Sequence, residues 1–188
     1  MGQESNNIWQ GKQIRLRAIE PSDWETFHEW NLDSETARLG YQLHFPQSEE
    51  AAREWAGREA TRHNDGDEAR WVIEAPDGNM AGTINTYSCN RRNGTFSYGI
   101  ALRSQYRQQG YAAEAILLVL RYFFRELRYH KVTAHVYSFN EPSIRLHEKL
   151  GFVCEGRLRD VLFTQGSYAD EFVYGMTVDE FEQKHGQS

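Results

Sequence analysis

The stretch RQQGYAAEA, residues 107–115, leads from a polar segment into an apolar helical pattern through a single glycine. The residues before it, 95–102, have the composition of a strand. The apolar residues after it recur at helical spacing and predict one buried helix face: Ala113, Ile116, Leu117, Leu120, Phe124 and Leu127. A strand, a glycine turn and a long buried helix in succession require a fold that mixes strands with helices.

The rest of the chain continues this interleaving. Further strands are predicted at 13–18, 71–75, 80–89, 132–137, 152–162 and 169–177, and further helices from Pro21, from Pro46 toward His63, and over 142–150. Turn signals at 76–79 and 165–167 join neighbouring strands into hairpins. Trp24, Phe27 and Trp30 share one helix face, which predicts packing on the core. These patterns predict an α+β fold with a largely antiparallel sheet.

Length and composition fit one globular domain. The chain has 188 residues, of which 39% are hydrophobic, enough for one substantial core. The first ten residues and the final KHGQS are polar and lack periodicity, so we expect loose ends around a core of about 13–178. A single domain over 1–188 is therefore predicted.

Charge and cysteine usage narrow the class of protein. We expect a cytoplasmic protein without a membrane anchor, because no secretory leader pattern and no apolar run of about 18 residues occurs. The net charge of −6 disfavours a nucleic-acid binder and is compatible with cationic substrates. Cys89 and Cys154 lie far apart without CxxC spacing, which predicts reduced thiols, and no metal site is expected.

The corner at residues 107–112 has the chemistry of an anion site. The first turn of a helix leaves backbone N–H groups unpaired, and the helix dipole adds partial positive charge there. Gly110 removes a side chain where a phosphate would approach, Arg107 supplies a cation, and Gln108 and Gln109 supply amide donors. The alternative from these residues alone is a capped loop with a solvated arginine.

Three ordered blocks of the sequence resemble one enzyme family. Tyr98-Gly99-Ile100 followed by 106–112 is similar to the acetyl-CoA signature (R/Q)-x-x-G-x-(G/A) of the GNAT N-acetyltransferases. Asn140-Glu141-Pro142-Ser143 and EKLGF at 148–152 resemble a second segment of that superfamily. EGRLRD at 155–160, with Gly166, Tyr168 and Asp170, resembles the branch of ribosomal-protein N-terminal (alanine) and spermidine acetyltransferases. The resemblance covers roughly 14–177.

The resemblance implies the GNAT fold, with splayed central strands, and acetyl-CoA as cofactor. The loop-helix corner would then hold the pyrophosphate through Arg107, Gln108, Gln109, Gly110, Tyr111 and Ala112. The pantetheine arm would pair like an extra strand with Ile100, Ala101 and Leu102. Asn140 would bond the pantetheine arm, with Ser143 one helical turn beyond, although Asn140 is also a favoured helix N-cap.

Family chemistry is direct attack of a neutral amine on the thioester carbonyl, without an acyl-enzyme, so neither cysteine is expected to act as a nucleophile. Two positions depart from the family pattern. Ser97 replaces the acidic residue that many relatives carry on the strand before the loop, which leaves the general base unassigned. His147 stands where many relatives place a tyrosine that protonates the leaving thiolate. An imidazole titrates near neutrality and suits that role; the alternative is a pocket-lining or surface histidine.

The first two helices and the last hairpin should build the acceptor site. An aromatic and acidic wall there would suit an ammonium group, and its members are Trp24, Glu29, Phe27, Trp30, Asp33, Glu35, Tyr41, Phe45, Tyr168 and Asp170. The predicted function is transfer of the acetyl group to a primary amine of a protein N-terminus, a polyamine or another small molecule. The alternative is a catalytically silent acyl-CoA-binding GNAT domain that serves as a sensor or interaction module. A homodimer is expected for this branch.

Overall fold

A computed structural model describes residues 7–40, 43, 45–63 and 66–186. In chain order its elements are β1 (Arg15–Arg17), α1 (Trp24–Asn31), α2 (Ser34–Gly40), α3 (Glu49–Ala60), β2 (Arg70–Glu74), β3 (Met80–Asn90), β4 (Thr95–Leu102), α4 (Tyr111–Arg125), β5 (Lys131–Tyr137), α5 (Glu141–Leu150), β6 (Val153–Thr164), β7 (Ser167–Thr177) and α6 (Val178–His185). A short 3₁₀ turn, Pro21–Asp23, leads into α1, and another, Ser104–Tyr106, lies between β4 and α4.

Within the described residues, seven strands form one sheet in the order β1-β2-β3-β4-β5-β7-β6. β4 and β5 pair in parallel, whereas β1–β2, β2–β3, β5–β7 and β6–β7 pair antiparallel. The predicted α+β class with a mostly antiparallel sheet is therefore confirmed. The β4–β5 register runs from Thr95↔Lys131 to Ser97↔Thr133, although both strands continue beyond it. The parallel pairing between β4 and β5 thus covers three residue pairs, all within Thr95–Ser97 and Lys131–Thr133.

The chain forms two compact units, and neither is a contiguous segment. The first comprises the residues up to Asn85 together with Ile100–Val119, and the second comprises Thr86–Gly99 with the residues from Leu120 onward. The chain passes from one unit to the other within β3, β4 and α4. The single domain expected from the sequence stays a prediction.

The core of the first unit has the aromatic packing that the α1 pattern predicts. Phe27 lies in a buried cluster with Ile19, Val72 and Met80, and Trp30 and Trp55 pack against that cluster. Phe27 and Trp55 meet edge to face, with ring centroids 4.7 Å apart. Burial of large aromatic rings is a major source of stability, and it fixes α1 and α3 in this unit.

The second unit has a core of its own. Phe96 on β4 stacks on Phe123 of α4 with ring centroids 4.3 Å apart, and Tyr129 contacts both rings. Phe124 contacts Phe181 of α6, which is fully buried. The last turns of α4 and the C-terminal helix are therefore parts of one apolar cluster.

Both ends of the chain are more regular than the sequence suggests. Trp9 stacks on Trp71 of β2 with ring centroids 5.3 Å apart, so the described part of the expected loose start is packed. Thr177 and Glu180 form a reciprocal capping box at the start of α6, and this helix includes the first residues of the expected loose end. No helix in the described ranges has the length and apolar character needed to cross a bilayer.

Candidate active site

The loop before α4 has the backbone of an anion site. Gln108 and Gly110 have positive φ angles of 61° and 86°, and the chain from Gln108 to Gly110 is exposed. Left-handed residues in a turn can direct successive backbone N–H groups to one side, which favours a bound anion. The first helical hydrogen bond runs from the Glu114 N–H to the Gly110 oxygen at 3.1 Å, so the N–H groups of residues 111–113 precede the intrahelical ladder. The corner thus presents backbone donors at the positive end of a 15-residue helix.

Arg107 sits in this loop, but its guanidinium has protein partners. Nε donates to the Leu102 carbonyl oxygen at 3.3 Å, and Nη2 donates to the Thr36 hydroxyl at 2.6 Å. Thr36 lies on α2, 71 positions away in the sequence. The sequence had assigned Arg107 as a phosphate contact, and the contact with α2 could not be found from local spacing.

The segment before β1 is tied to the start of α4. The Glu114 carboxylate accepts hydrogen bonds from the backbone N–H groups of Lys12 and Gln13. A Cβ at Gly110 would lie 3.7 Å from the Gln13 side-chain nitrogen. Gln13 therefore adds an amide beside the glycine, a neighbour that the sequence did not indicate because more than 90 residues separate the two positions.

The end of β4 is held by a close approach of β3. A Cβ at Gly82 would overlap the Ala101 carbonyl oxygen and lie 2.9 Å from the Leu102 Cα. The Arg103 N–H donates to the Ala81 oxygen at 2.9 Å. A glycine is thus required at position 82, and residues 100–102, the predicted pantetheine-pairing segment, are half-buried at this end of the strand.

In the second unit, Asn140 begins α5. Its side-chain oxygen accepts a hydrogen bond from the Ser143 N–H at 3.3 Å, and Pro142 follows in the first turn. The N-cap alternative for Asn140 is therefore observed. The cap does not conflict with a cofactor contact, because the cap uses the Asn140 side-chain oxygen, whereas a cofactor carbonyl would accept from its NH₂ group. Cofactor contacts by Asn140 and Ser143 stay predictions.

His147 is a buried residue of α5, only 2% exposed. Its Nδ1 lies 2.7 Å from the Ser143 carbonyl oxygen, and its Nε2 lies 2.7 Å from the Tyr98 hydroxyl. A carbonyl oxygen only accepts, so Nδ1 carries the proton and Nε2 accepts from Tyr98 in the neutral ring. The imidazole is further enclosed by the rings of Phe152 and Tyr174.

This environment weighs against the proton-donor role predicted for His147. Burial lowers the pKa of His147 below its ordinary value, opposed in part by the hydrogen bond to Ser143. Burial also raises the pKa of Tyr98 well above its ordinary value, with a smaller contribution from Tyr87. Both groups are therefore neutral near pH 7, and their protons are directed at protein atoms. The surface alternative does not fit a ring that is 2% exposed, and the donor and pocket-lining roles stay predictions.

His135 and Glu171 form a titratable pair in the second unit, on the sheet face opposite to that of Tyr98. Ser97 is buried and in register with Thr133, so both side chains share one face. His135, two residues further along β5, is on that face, and its Nδ1 lies 3.0 Å from a Glu171 carboxylate oxygen on β7. The side chains of His135 and Glu171 are 36% and 17% exposed. The alternating pattern KVTAHVY contained the signal for His135, but the pairing with Glu171 needed the β5–β7 register.

The acceptor residues predicted from the sequence fall into several groups. In the first unit, Phe27 and Trp30 belong to the core, Arg53 covers the Trp24 ring at 4.2 Å, and Phe45 is 95% exposed.

The predicted acidic residues also differ. In the first unit, Asp33 bonds Thr36, Glu35 is exposed, and the Glu29 carboxylate lies 3.8 Å from Arg103. In the second unit, Asp170 accepts from Arg157 and from the Asp160 N–H, and Tyr168 is exposed. Tyr41 lies outside the described residues. Glu29 and Glu35 therefore remain the exposed acids of α1 and α2 among those predicted.

Comparisons with known proteins agree with this architecture. A family model described as acetyltransferase (GNAT) domain matches residues 13–153. The SPbeta prophage-derived uncharacterized N-acetyltransferase YokL of Bacillus subtilis is 49% identical over 178 residues, which cover 95% of this chain and 97% of that protein. The putative ribosomal N-acetyltransferase YdaF of the same species is 28% identical over 179 residues, covering 91% of this chain and 94% of YdaF.

A solved structure of spermidine N-acetyltransferase from Vibrio cholerae, in complex with CoA and spermine, matches with a TM-score of 0.78 and 25% identity. The match covers 91% of this chain and 99% of that chain. The sequence relatives and the solved structure are all named as acetyltransferases, so the comparisons give no support to the alternative of a catalytically silent domain. The chain therefore belongs to the GNAT acetyltransferases and is an acetyl-CoA-dependent N-acetyltransferase.

Proposed function

We propose that this enzyme acetylates a primary amine of a small polycation of the polyamine type, and that the amine attacks acetyl-CoA directly. The observation that supports the placement of acetyl-CoA is the loop-helix corner, where left-handed Gln108 and Gly110 precede the start of α4. That corner suits the CoA diphosphate. The spermine bound to the Vibrio cholerae neighbour, the net charge of −6 and the exposed Glu29 and Glu35 support a cationic acceptor.

The cofactor would be held along its length by different groups. Backbone N–H groups of residues 108–112 would bind the diphosphate, because the Arg107 N–H already donates to the Ser104 oxygen. Residues 100–102 would pair with the pantetheine amides. The side-chain N–H donors of Asn140 suit a pantetheine carbonyl, and Ser143 would contribute from the first turn of α5. The thioester would then lie beside Ser97 and Thr133, the last pair of the β4–β5 register in the second unit.

Reaction requires the loss of one proton by the amine and the gain of one by the sulfur. The amine nitrogen forms a bond to the thioester carbonyl carbon, the carbon–sulfur bond breaks, and CoA leaves as a thiolate that takes up a proton. Because Ser97 cannot act as a carboxylate base, we assign proton acceptance to the Glu171–His135 pair. The support for this assignment is that the pair lies on the sheet face that Ser97 and Thr133 share.

An amine panel tests the proposed substrate class. Release of the CoA thiol from acetyl-CoA is measured with spermidine, spermine, an aminoglycoside and short peptides with free N-termini, against a reaction without amine. Release that depends on the two polyamines supports the proposal. Release with peptides alone assigns the enzyme to protein N-termini, and release with none of these amines contradicts the polyamine proposal and places the acceptor outside the panel.

We also propose that the protein forms a homodimer through the β6–β7 hairpin. β6 is the last strand of the sheet, and several of the hairpin's large apolar side chains are exposed: Val153, Leu158, Val161, Phe163 and Tyr168. An edge strand with exposed apolar residues is a ready site for pairing or packing with another chain. A second copy would cover these residues.

A further inference from the structure

Arg107 is the first residue of the cofactor motif, and its guanidinium connects two parts of the first unit. Nε bonds the Leu102 oxygen at the end of β4, and Nη2 bonds the Thr36 hydroxyl on α2. The Arg107 N–H also donates to the Ser104 oxygen at 3.3 Å. The side chain thus bridges the strand end and a helix distant in sequence, while the backbone N–H closes a turn within its own loop.

The far end of this bridge is fixed by the start of α2. Asp33 accepts the Thr36 N–H at 3.0 Å and the Thr36 hydroxyl proton at 2.5 Å. The hydroxyl has one proton, which it gives to Asp33, so it meets Arg107 as an acceptor. Thr36 is only 6% exposed. Its hydrogen bonds are the largest cause that lowers the pKa of Asp33, and the positive charge of Arg107 lowers that pKa further.

We propose that Arg107 is a positioning residue, which fixes the cofactor loop to α2 through Thr36 and Asp33 and so presents the loop N–H groups to CoA. This inference rests on the proposed placement of CoA at the loop. A loop held in its bound conformation loses less entropy on binding than a mobile one. The planar fork of arginine is suited to bonding the Leu102 oxygen and the Thr36 hydroxyl together.

Direct contact between the Arg107 charge and the phosphates is the competing explanation. The two differ in what they require of Thr36. A positioning role makes the buried Thr36 hydroxyl necessary for CoA affinity, whereas a charge role makes it irrelevant. They also differ for Arg107→Lys, which keeps the charge but offers a single ammonium in place of the fork.

Calorimetric titration with CoA provides the test. Thr36→Val and Arg107→Lys should each weaken CoA binding about tenfold, within the range of coupling through one packed network. Thr36→Ser keeps the hydroxyl and should bind within about twofold of the wild type. The double variant Thr36→Val/Arg107→Lys should bind no more weakly than either single variant, since both remove one connection. Arg58→Gln, which removes an exposed cation of α3, is the matched control for charge.

Kinetics with spermidine as the probe amine separates positioning from general loss of structure. The KM for acetyl-CoA should rise in Thr36→Val while kcat stays within about twofold, and Thr36→Ser should restore the KM. Two results would overturn the positioning role. The first is wild-type CoA affinity in Thr36→Val. The second is CoA affinity that is retained in Arg107→Lys but falls in Arg107→Gln in a salt-dependent way. Normal CoA binding by a Gly110→Leu variant would instead overturn the placement of CoA at the loop.

Discussion

Gly110 combines a φ of 86° with an exposed position directly before α4. A larger side chain there is strained by about 1–2 kcal/mol and projects where the diphosphate is expected. We expect Gly110→Leu to weaken CoA binding by at least about tenfold, which corresponds to about 1.4 kcal/mol, whereas a strained residue outside the cofactor loop should leave CoA binding unchanged. The measurement is the rise in Tm on addition of CoA. In the wild type, CoA at 100 times its dissociation constant should add about 2.7 kcal/mol to the free energy of unfolding.

Gly166→Leu is the matched control for this experiment. Gly166 has a φ of 80° in the β6–β7 turn, and a Cβ there meets nothing within 4 Å. The control carries similar backbone strain but does not alter the cofactor loop. Equal CoA affinity of the Gly110 variant and the control would show that the loop does not bind the diphosphate.

His147→Ala distinguishes a buried structural histidine from an acid catalyst. Removal of the ring leaves a cavity and deprives the Tyr98 hydroxyl of its partner. We therefore expect the free energy of unfolding to fall by about 2–4 kcal/mol. We expect kcat with a slow amine to stay within about fivefold at a temperature where the variant is folded, since a positioned acid contributes about 100-fold or more. His147→Tyr should not improve on the alanine variant, because the site is 2% exposed and a larger ring overpacks it. A fall in kcat of about 100-fold in His147→Ala, with recovery in His147→Tyr, would restore the donor role.

His147 also makes the stability of the fold depend on pH. Its folded-state pKa is lowered by burial, so the unfolded chain binds the proton more readily than the folded chain. The stabilisation is complete above the ordinary pKa of about 6.5, and it is lost as the pH falls from there through the lowered folded-state pKa. We expect the Tm of the wild type to drop between pH 7.5 and 5 by more than that of His147→Phe, which has no titrating ring. The exposed His63→Gln serves as a control that should follow the wild type.

At the scale of elements, hydrophobic periodicity predicted α4, α5 and the hairpins, because each has a strong pattern and a clear turn or cap. Gly151 ends α5 with a φ of 96°, as its place in the sequence predicts. The short helix α2 and the terminal α6 were missed. α2 has seven residues and only one buried side chain, Thr36. α6 depends on Thr177 and on burial of Phe181, which becomes apparent only once the second unit's core is assembled.

The candidate site shows the same division. The glycine turn at Gly110 and the N-cap alternative for Asn140 follow from local chemistry, so the sequence was sufficient to identify them. The partners of Arg107 and His147 were not predictable, because Thr36 and Tyr98 are distant in the sequence and no pattern links them. Long-range contacts set the direction of the Arg107 guanidinium and of the His147 Nε2 atom, so the local sequence did not show them.

The pairing of β5 with β7 supports a second prediction about catalysis. Tyr137 is in register with Glu171, which brings the carboxylate to the face that carries His135. If this pair accepts the amine proton, Glu171→Gln should lower kcat about 100-fold and leave CoA affinity unchanged. His135→Gln should lower kcat less if the carboxylate itself is the acceptor. The matched control is Glu155→Gln, an exposed carboxylate of β6 that pairs with Lys131. A kcat equal to that of the control in both Glu171→Gln and His135→Gln would exclude the pair as the base.

At the scale of the whole molecule, the chain order and the compact units do not coincide. β3, β4 and α4 each run from one unit into the other, so a cut in any linker would divide a unit rather than separate the two. The predicted site residues are distributed accordingly: the cofactor segments 100–102 and 107–112 belong to the first unit, and Asn140, Ser143 and the predicted proton donor His147 belong to the second. Formation of either unit therefore requires long-range closure of the chain, which is slower than local folding.

The β6–β7 hairpin carries the prediction about assembly. Val161 and Phe163 are 52% and 61% exposed on β6, and a stable dimer would have to bury about 800 Å² on each copy around such residues. We expect sedimentation of the wild type to give twice the 21.9 kDa chain mass at micromolar concentrations. Val161→Asp/Phe163→Asp should shift the protein to monomer, because two charges would be buried without partners at the interface. Leu32→Asp, a change at a 69% exposed residue just after α1, should leave the dimer intact. A wild type that sediments as a monomer at every concentration would refute the dimer, and a dimer that survives both charges would place its interface elsewhere.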